Sequence, residues 1–232
     1  MKYSIVIPCY NEEKNIPLIL EKFSRVIQRD VEIILVDNGS TDGSSEVLKV
    51  LVPQYSFART IKVDINQGYG FGILSGLDEA AGKYIGWTHA DMQTDPSDVM
   101  KAISIAENSG KENLYVKGDR KGRPLFDQVF TSGMSLFESV YLVEKLDDIN
   151  AQPNLFSRKF FESWQKPPQD FSLDLYALYM ARKQKVEIIR FDVRFPPRIH
   201  GKSSWNDGFS SKWKFIKRTF DFSVQLKKDG IK

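Results

Sequence analysis

Tyr84-Ile85-Gly86-Trp87-Thr88-His89-Ala90-Asp91-Met92-Gln93-Thr94-Asp95-Pro96 is the stretch whose division decides the fold. Its first four residues form an apolar run of strand length. His89, Asp91 and Gln93, which follow at once, can coordinate a cation. Thr94-Asp95-Pro96 then supplies an N-cap and a proline for the first turn of a helix expected from about Pro96 to Glu107. In an open α/β sheet, ligands bind at the carboxyl ends of the strands, so a polar cluster just past a strand is where chemistry is expected. The same residues also suit an ordinary loop leading into a helix, and the two readings are compatible.

The pattern repeats upstream. Lys2 to Pro8 is a β-branched apolar run ending in Cys9-Tyr10-Asn11-Glu12-Glu13. Asn11 reads as the N-cap of a helix from about Glu12 to Gln28, with Ile16, Ile19, Leu20, Phe23 and Ile27 on one face. Val31 to Val36 is a second buried strand, closed by Asp37-Asn38-Gly39-Ser40-Thr41-Asp42-Gly43, with a helix from near Asp42 to Leu51. Ala58 to Asp64 is a third strand. The glycine-rich Asn66 to Gly72 leads into a helix to about Ala81, with Gly82 as its C-terminal cap. Strand alternating with helix predicts a mostly parallel, doubly wound α/β sheet whose polar strand ends share one edge. That edge collects Asn11, Glu12, Asp37, Asn38, Gly68, His89, Asp91 and Gln93.

Beyond this the pattern is less regular. Asn113 to Val116 reads as a strand followed by a basic turn from Lys117 to Pro124. Phe126 to Val143 has helical spacing, and Asp147 to Ser157 reads as loop and short strand. Phe171 to Lys183 is a helix with an apolar face of Leu173, Tyr176, Ala177 and Met180. Val186 to Phe195 alternates as a strand and stops at Pro196-Pro197. Phe209 to about Leu226 pairs aromatics with lysines as an amphipathic helix.

At 232 residues the chain fits one large domain, and 41% hydrophobic with 27% charged residues is ordinary globular composition. A single cysteine, Cys9, excludes an internal disulfide and suggests a reducing compartment. No signal-peptide pattern precedes the first strand, and no apolar run nears the roughly 20 residues needed to cross a bilayer. A cytoplasmic protein, or one at the cytoplasmic face of a membrane, is therefore expected. The net charge of +3 is uneven: from Arg194 onward there are ten Lys or Arg against three Asp. Such a segment suggests an anionic partner or a solvated surface. No nucleic-acid-binding module surrounds it, so nucleic acid is not expected as a partner.

Gly68-Tyr69-Gly70-Phe71-Gly72 is no dinucleotide fingerprint, because it follows the third strand rather than the first, and no P-loop pattern occurs. What remains is a helix N-terminus that lets main chain approach a phosphate or sugar. With SIVIPCYNEE (residues 4–13), EIILVDNGSTDGS (32–44) and residues 66–96 in register, the chain resembles the family 2 glycosyltransferases of the GT-A fold. The dolichol- or polyprenyl-phosphate sugar synthase branch is the most similar. VKGDR, DINAQPNLFSR, FSLDLYALYMAR and FPPRIHGKSS follow in the right order, so the resemblance covers about residues 3–204. It implies a GT-A domain over residues 1–208, with a donor half of about 1–118 and an acceptor half of about 119–208. A basic amphipathic helix over 209–232 follows.

By that resemblance Pro8, Tyr10, Asn11 and Glu12 hold the nucleoside, and Asp37, Asn38 and Gly39 read its base and ribose. Gly68 and Ala90 join this nucleotide-sugar set. The family usually has two aspartates at the second turn; here the second is Asn38. His89-Ala90-Asp91 stands where the family has its DxD metal motif. Asp91 and Gln93 would hold Mn²⁺ or Mg²⁺ on the donor's diphosphate, with His89 either a further ligand, a donor to phosphate or a ring that points away. An imidazole is better tolerated by Mn²⁺ than by Mg²⁺, which prefers all-oxygen sites. Arg120, Gln152, Arg198, Lys202 and Ser203 match positions around the acceptor and the phosphates. Asp174 matches the acidic residue that would serve as base toward a hydroxyl acceptor, or else is a solvent-facing helix residue.

The reaction implied is inverting transfer of a sugar from a nucleoside-diphosphate sugar to a polyprenyl phosphate or glycan. A catalytically weak nucleotide-sugar-binding subunit, or a sugar nucleotidyltransferase or hydrolase on a similar sheet, are the alternatives. The basic aromatic tail, with Trp205, Trp213, Phe215 and Phe220, is read either as a contact for anionic lipid or as a helix packed on the core.

Overall fold

The structure, a computed structural model, describes residues 2–122, 125–198, 200 and 209–229. Lys202, Ser203 and Trp205 lie outside these residues, as do the side chains of Trp213 and Phe215. Strands β1 (Tyr3–Cys9), β2 (Val31–Asn38), β3 (Ala58–Val63) and β4 (Tyr84–Trp87) run parallel. They join β5 (Leu114–Lys121), β6 (Asn154–Ser157) and β7 (Glu187–Arg194) in one sheet of order β3-β2-β1-β4-β6-β5-β7. β6 runs antiparallel to both neighbours, whereas β7 pairs with β5 in parallel. The mostly parallel α/β sheet expected from the sequence is present. Its strand order reverses between β1 and β4, and in such sheets that crevice is the natural binding place.

Both faces are covered, which is why β1 and β2 are buried almost throughout. One core cluster takes in α1 (Ile16–Val26), α2 (Ser44–Leu51) and α4 (Pro96–Ser109). The other takes in α3 (Tyr69–Asp78), α6 (Arg158–Glu162) and α7 (Leu173–Lys183). Leu142 of α5 (Leu125–Leu142) and Leu226 of α8 (Phe209–Asp229) also reach it. Asp95 caps α4 as expected, its carboxylate accepting from Ser97 N–H at 2.9 Å, and Gly110 ends the helix in the left-handed conformation. Such a cap contributes about 1 kcal/mol.

Several boundaries differ from the sequence reading, each for a local reason. α1 starts at Ile16 rather than Glu12: Asn11 sits at φ 58°, and its Oδ1 accepts from Thr41 N–H at 2.8 Å instead of capping a helix. Glu12 O takes the Asn15 and Ile16 N–H groups, and the helix begins there. Gly82 does not cap α3, whose C-cap is Glu79. It is glycine because it lies on β1: its N–H donates to Ser4 Oγ at 2.7 Å, and a Cβ would stand 2.7 Å from Ser4 N. β5 runs on to Lys121, so Lys117 belongs to a strand interior and not to a basic turn. The division expected near residue 118 falls inside this strand. The helix α6 was not foreseen within its run of aromatics.

Candidate active site

The turns after β1 and β2 are laced together by side-chain-to-main-chain bonds. Asn11 N–H donates to Ser40 Oγ at 3.2 Å and Glu12 N–H to Ser44 Oγ at 2.8 Å. Glu13 accepts from Gly43 N–H at 2.8 Å. Asp37, 3% exposed, caps its own turn, accepting from Ser40 N–H at 3.1 Å and from the Ser45 hydroxyl. Gly39 completes the turn at φ 69°. Tyr10 stands 46% exposed above this frame, free to stack on a ring, while Pro8 sits in β1 beside Val36. Burial raises the pKa of the Glu12 carboxyl, opposed mainly by a hydrogen bond from Asn15 and reinforced by the nearby Asp91.

Asn38 explains its own departure from the family pattern. Its Nδ2 donates to Gly68 O at 3.0 Å, tying the second turn to the start of α3. An aspartate there would bring no donor and would bury a charge. Gly68 holds φ 118° with its missing Cβ aimed at Gln169 O, 2.5 Å away, so only glycine fits between α3 and the segment before α7. Its role here is close packing. Ala90 contributes its methyl to the core, leaving its main chain for any ligand.

The turn after β4 carries the most distinctive geometry. Asp91, 5% exposed, accepts from Gln93 N–H at 3.1 Å through one oxygen and meets the Arg198 guanidinium at 2.8 Å through the other. Arg198 Nε also donates to Gln93 Oε1 at 3.1 Å, and Gln93 Nε2 donates to Pro196 O at 3.0 Å. Two oxygens from the strand end thus converge on one cation. Between them Met92 adopts φ 61°, a conformation that costs a bulky residue about 1 kcal/mol or more. No sequence signal marked Met92; such outliers gather at ligand sites. The His89 ring lies 5.7 Å from that of Tyr69, and burial holds its pKa below the usual value, against the pull of Asp91 and Asp174.

A second, buried polar group lies beside this turn. Asp174 is 2% exposed, which excludes the solvent-facing alternative. Its Oδ1 accepts from Gln152 Nε2 at 2.9 Å and Asn154 Nδ2 at 3.3 Å. Burial raises its pKa, opposed by the charges of Lys117 and His89. Lys117, fully buried, donates to Ala151 O and Asn154 Oδ1, each at 2.7 Å, and desolvation lowers its pKa to about 7. Gln152 Nε2 also reaches Tyr69 Oη at 3.4 Å. Arg120 is held by Asp148 through its Nε at 2.9 Å and by the Phe195 ring at 5.2 Å. The sequence reading did not single out Lys117, Tyr69 or Asp148. Lys117 was legible only as the alternate-residue partner of Tyr115 once β5 was extended.

The residues at the β4 turn fit a divalent ion. A carboxylate and a carboxamide oxygen already share a cation, and the neutral form favoured for His89 is the ligating form of an imidazole. Among the described residues no three or more His, Cys, Asp or Glu are placed to hold a metal. An ion bound here would therefore complete its shell from phosphate oxygens and water.

The family model for Glycosyl transferase family 2 matches residues 4–181, and the chain belongs to this family of glycosyltransferases. Among curated proteins it is similar to the undecaprenyl-phosphate 4-deoxy-4-formamido-L-arabinose transferase of Photorhabdus laumondii, 34% identical over 211 residues, covering 88% of this chain and 63% of that protein. The corresponding transferase of Yersinia enterocolitica is 36% identical over 111 residues, covering 46% of this chain and 34% of that one. The chain thus spans under two thirds of the length of these relatives. Among solved structures it resembles glucosyl-3-phosphoglycerate synthase from Mycobacterium tuberculosis in complex with UDP (TM-score 0.75, 18% identity, 100% of this chain and 81% of that one). It also resembles a mannosyltransferase from Pyrobaculum calidifontis in complex with GDP-Man and Mn²⁺ (TM-score 0.66, 16% identity, 97% and 64%). At these identities the likeness is one of fold, and the fold is GT-A.

Proposed function

We propose that this chain transfers a sugar from a nucleoside-diphosphate sugar to a polyprenyl phosphate, with inversion at the anomeric carbon and with a divalent ion. The observation that carries the reading is the convergence of Asp91 and Gln93 on one cation at the strand-order switch, beside the laced turns of Asn11, Glu12 and Asp37. Tyr10, Asp37 and Asn38 would face the nucleoside, and Asp91 with Gln93, joined by His89, would hold Mn²⁺ or Mg²⁺. When bound, the ion neutralises charge developing on the departing diphosphate. Arg198, released from Asp91 as the donor arrives, would then meet phosphate oxygens, with Lys202 and Ser203 from the same segment. Arg120 and Gln152 line the acceptor side. Manganese-bound and UDP-bound relatives of the same fold support a metal and a nucleotide donor.

A phosphate acceptor fits the buried group better than a hydroxyl does. Attack by an ionised phosphate oxygen on the anomeric carbon, with loss of the nucleoside diphosphate, needs no base, since a phosphomonoester's second pKa is about 6. A sugar hydroxyl would need Asp174 as its base, a carboxyl that is buried and has one oxygen already accepting from two amide donors. The names of the curated relatives point the same way. A lipid acceptor puts the enzyme at a membrane face, the cytoplasmic one by the sequence reading.

The test is release of nucleoside diphosphate from UDP-, GDP- and dTDP-sugars with Mn²⁺ or Mg²⁺, with and without a short-chain polyprenyl phosphate. Release that requires the acceptor and yields the glycosylated lipid phosphate is expected. Acceptor-independent release would make the protein a hydrolase. Tight donor binding without turnover would make it a binding subunit.

A further inference from the structure

Helix α5 turns an aliphatic ridge to the outside while burying a carboxylate. Leu136, Val140 and Val143 recur at helical spacing on its outer side and at its end, and are 67%, 72% and 78% exposed. Its inner side buries Leu142 together with two polar residues, Ser135 and Glu138, the latter 1% exposed and accepting from Ser223 of α8. A helix designed for water would place the carboxylate outside and the aliphatics inside. Phe137, 44% exposed, and Phe220 of α8, 42% exposed, extend the outer strip, their rings 5.7 Å apart. Phe137 also stacks on Tyr141 at 5.9 Å. Contiguous exposed apolar surface of this kind marks a contact, since scattered single residues are what ordinary surfaces show.

The charge around the strip identifies the contact. Lys227 Nζ stands 4.6 Å over the Tyr141 ring, at the strip's edge, and Lys217 lies one turn from Phe220 on α8. The exposed side of α8 also carries Lys228, against Asp221 as the one acid with a described side chain there, while Arg218 turns away to Asp170 and the Phe171 ring. Apolar side chains bordered by cations match the boundary between acyl chains and anionic headgroups. No helix among the described residues is long and apolar enough to cross a membrane, so this contact lies in the plane of the interface.

We propose that the α5–α8 face, built on Leu136, Phe137, Val140, Val143 and Phe220, docks this protein onto an anionic bilayer surface. The proposal deepens the lipid-phosphate reading above and rests on it for its biological sense. The surface differs from the one the sequence suggested: the anchor is the outer ridge of α5, where the sequence reading had only a helix, and α8 contributes its cations and one ring. α8 itself is fixed to the body through Ser223 and Leu226, both buried.

The test is flotation of the full chain with vesicles of phosphatidylcholine alone or of phosphatidylcholine with a third phosphatidylglycerol. Binding to the anionic vesicles that weakens with salt is expected. The combined variant Leu136→Ser, Val140→Ser and Val143→Ser should lower it about tenfold or more, because each exposed aliphatic loses its apolar burial. The thermal midpoint should stay unchanged, since these side chains are already in water. Lys217→Glu with Lys228→Glu should weaken anionic binding and leave the apolar ridge intact. Equal flotation of wild type and the triple variant, or no flotation of wild type, would overturn the proposal. So would a concentration-dependent dimer that the triple variant abolishes, which would assign the face to a second copy. Transfer to a water-soluble short-chain acceptor without vesicles reads the catalytic assignment separately: its failure, with flotation intact, would sink that assignment alone.

Discussion

The rim of turns at the strand ends and the buried polar group beside it are built from different materials. At the rim, the turns after β1 and β2 are secured by short side-chain-to-main-chain bonds near the surface, such as Asn11 to Thr41 and Glu12 to Ser44. In the buried group, Lys117, Asp174, Gln152 and Asn154 are sunk into the core and satisfied there by one another, by Ala151 O and by the Tyr69 and Tyr115 hydroxyls. The rim should therefore tolerate change at a cost in binding or turnover. The buried group should answer change with instability, because a buried polar atom stripped of its partner is expensive.

The largest effect should come from the rim's cation site. Asp91→Asn removes the carboxylate that meets Arg198 and would hold the ion, and kcat should fall about a hundred- to a thousandfold. Steady-state transfer assays check the fall, and the thermal shift produced by nucleotide with Mn²⁺ should vanish with little change in the apo midpoint. An apo midpoint that collapses would erase the contrast between the two regions.

Next comes Lys117→Met, which leaves Ala151 O without its side-chain donor and Asn154 Oδ1 with only the Tyr115 hydroxyl, and should cost about 2–4 kcal/mol in urea unfolding, with nucleotide affinity changed far less. The same lysine predicts a pH dependence. Its folded pKa of about 7 lies below the ordinary value of 10.5, so between these two the unfolded chain binds the proton that the folded chain lacks. Its contribution thus makes stability rise with pH through that window, at up to about 1.4 kcal/mol per pH unit. Comparing wild type with Lys117→Met from pH 6 to 10 should show this component lost in the variant.

Smaller effects sharpen the boundary between the regions. Asn38→Asp gives up the bond to Gly68 O and buries a charge, for about 1–3 kcal/mol and a weaker grip on nucleotide, measurable by calorimetry. Asp95→Ala removes the cap of α4 and an exposed ion pair with Lys22, and should cost about 1 kcal/mol of unfolding free energy without altering kcat.

How much could be read beforehand follows the same divide. Asp91 and Gln93 were legible because a polar cluster directly after a strand of four buried residues leaves little choice of where it points. Glu12 and Asp37 were legible for the same reason, and the register of β1 between β2 and β4 brings their turns to one edge. Asn11 reads as a cap from its neighbours alone because its partner, Thr41, is thirty residues away in another turn. Lys117 was placed in a turn because a lysine beside glycine and aspartate reads as solvated, and only the β5–β6 pairing draws it inside. Asp174 stood between two readings until the packing of α7 against the sheet buried it. The outer ridge of α5 was hidden by the same helical spacing that revealed the helix, since spacing does not say which side meets the core.

What the amino-acid order determined by itself was local: strands of buried length, the residues that stop them, and the cap at Asp95. These follow from neighbouring side chains and main-chain geometry, so a short window contains them. What the tertiary structure alone decided was partnership across distance. Arg198 lies against an aspartate more than a hundred positions earlier, a lysine shares the core with a carboxyl, and a helix turns Leu136, Val140 and Val143 outward. Those outcomes depend on which surfaces the sheet brings together and on the desolvation that follows, and no stretch of the chain read alone carries either.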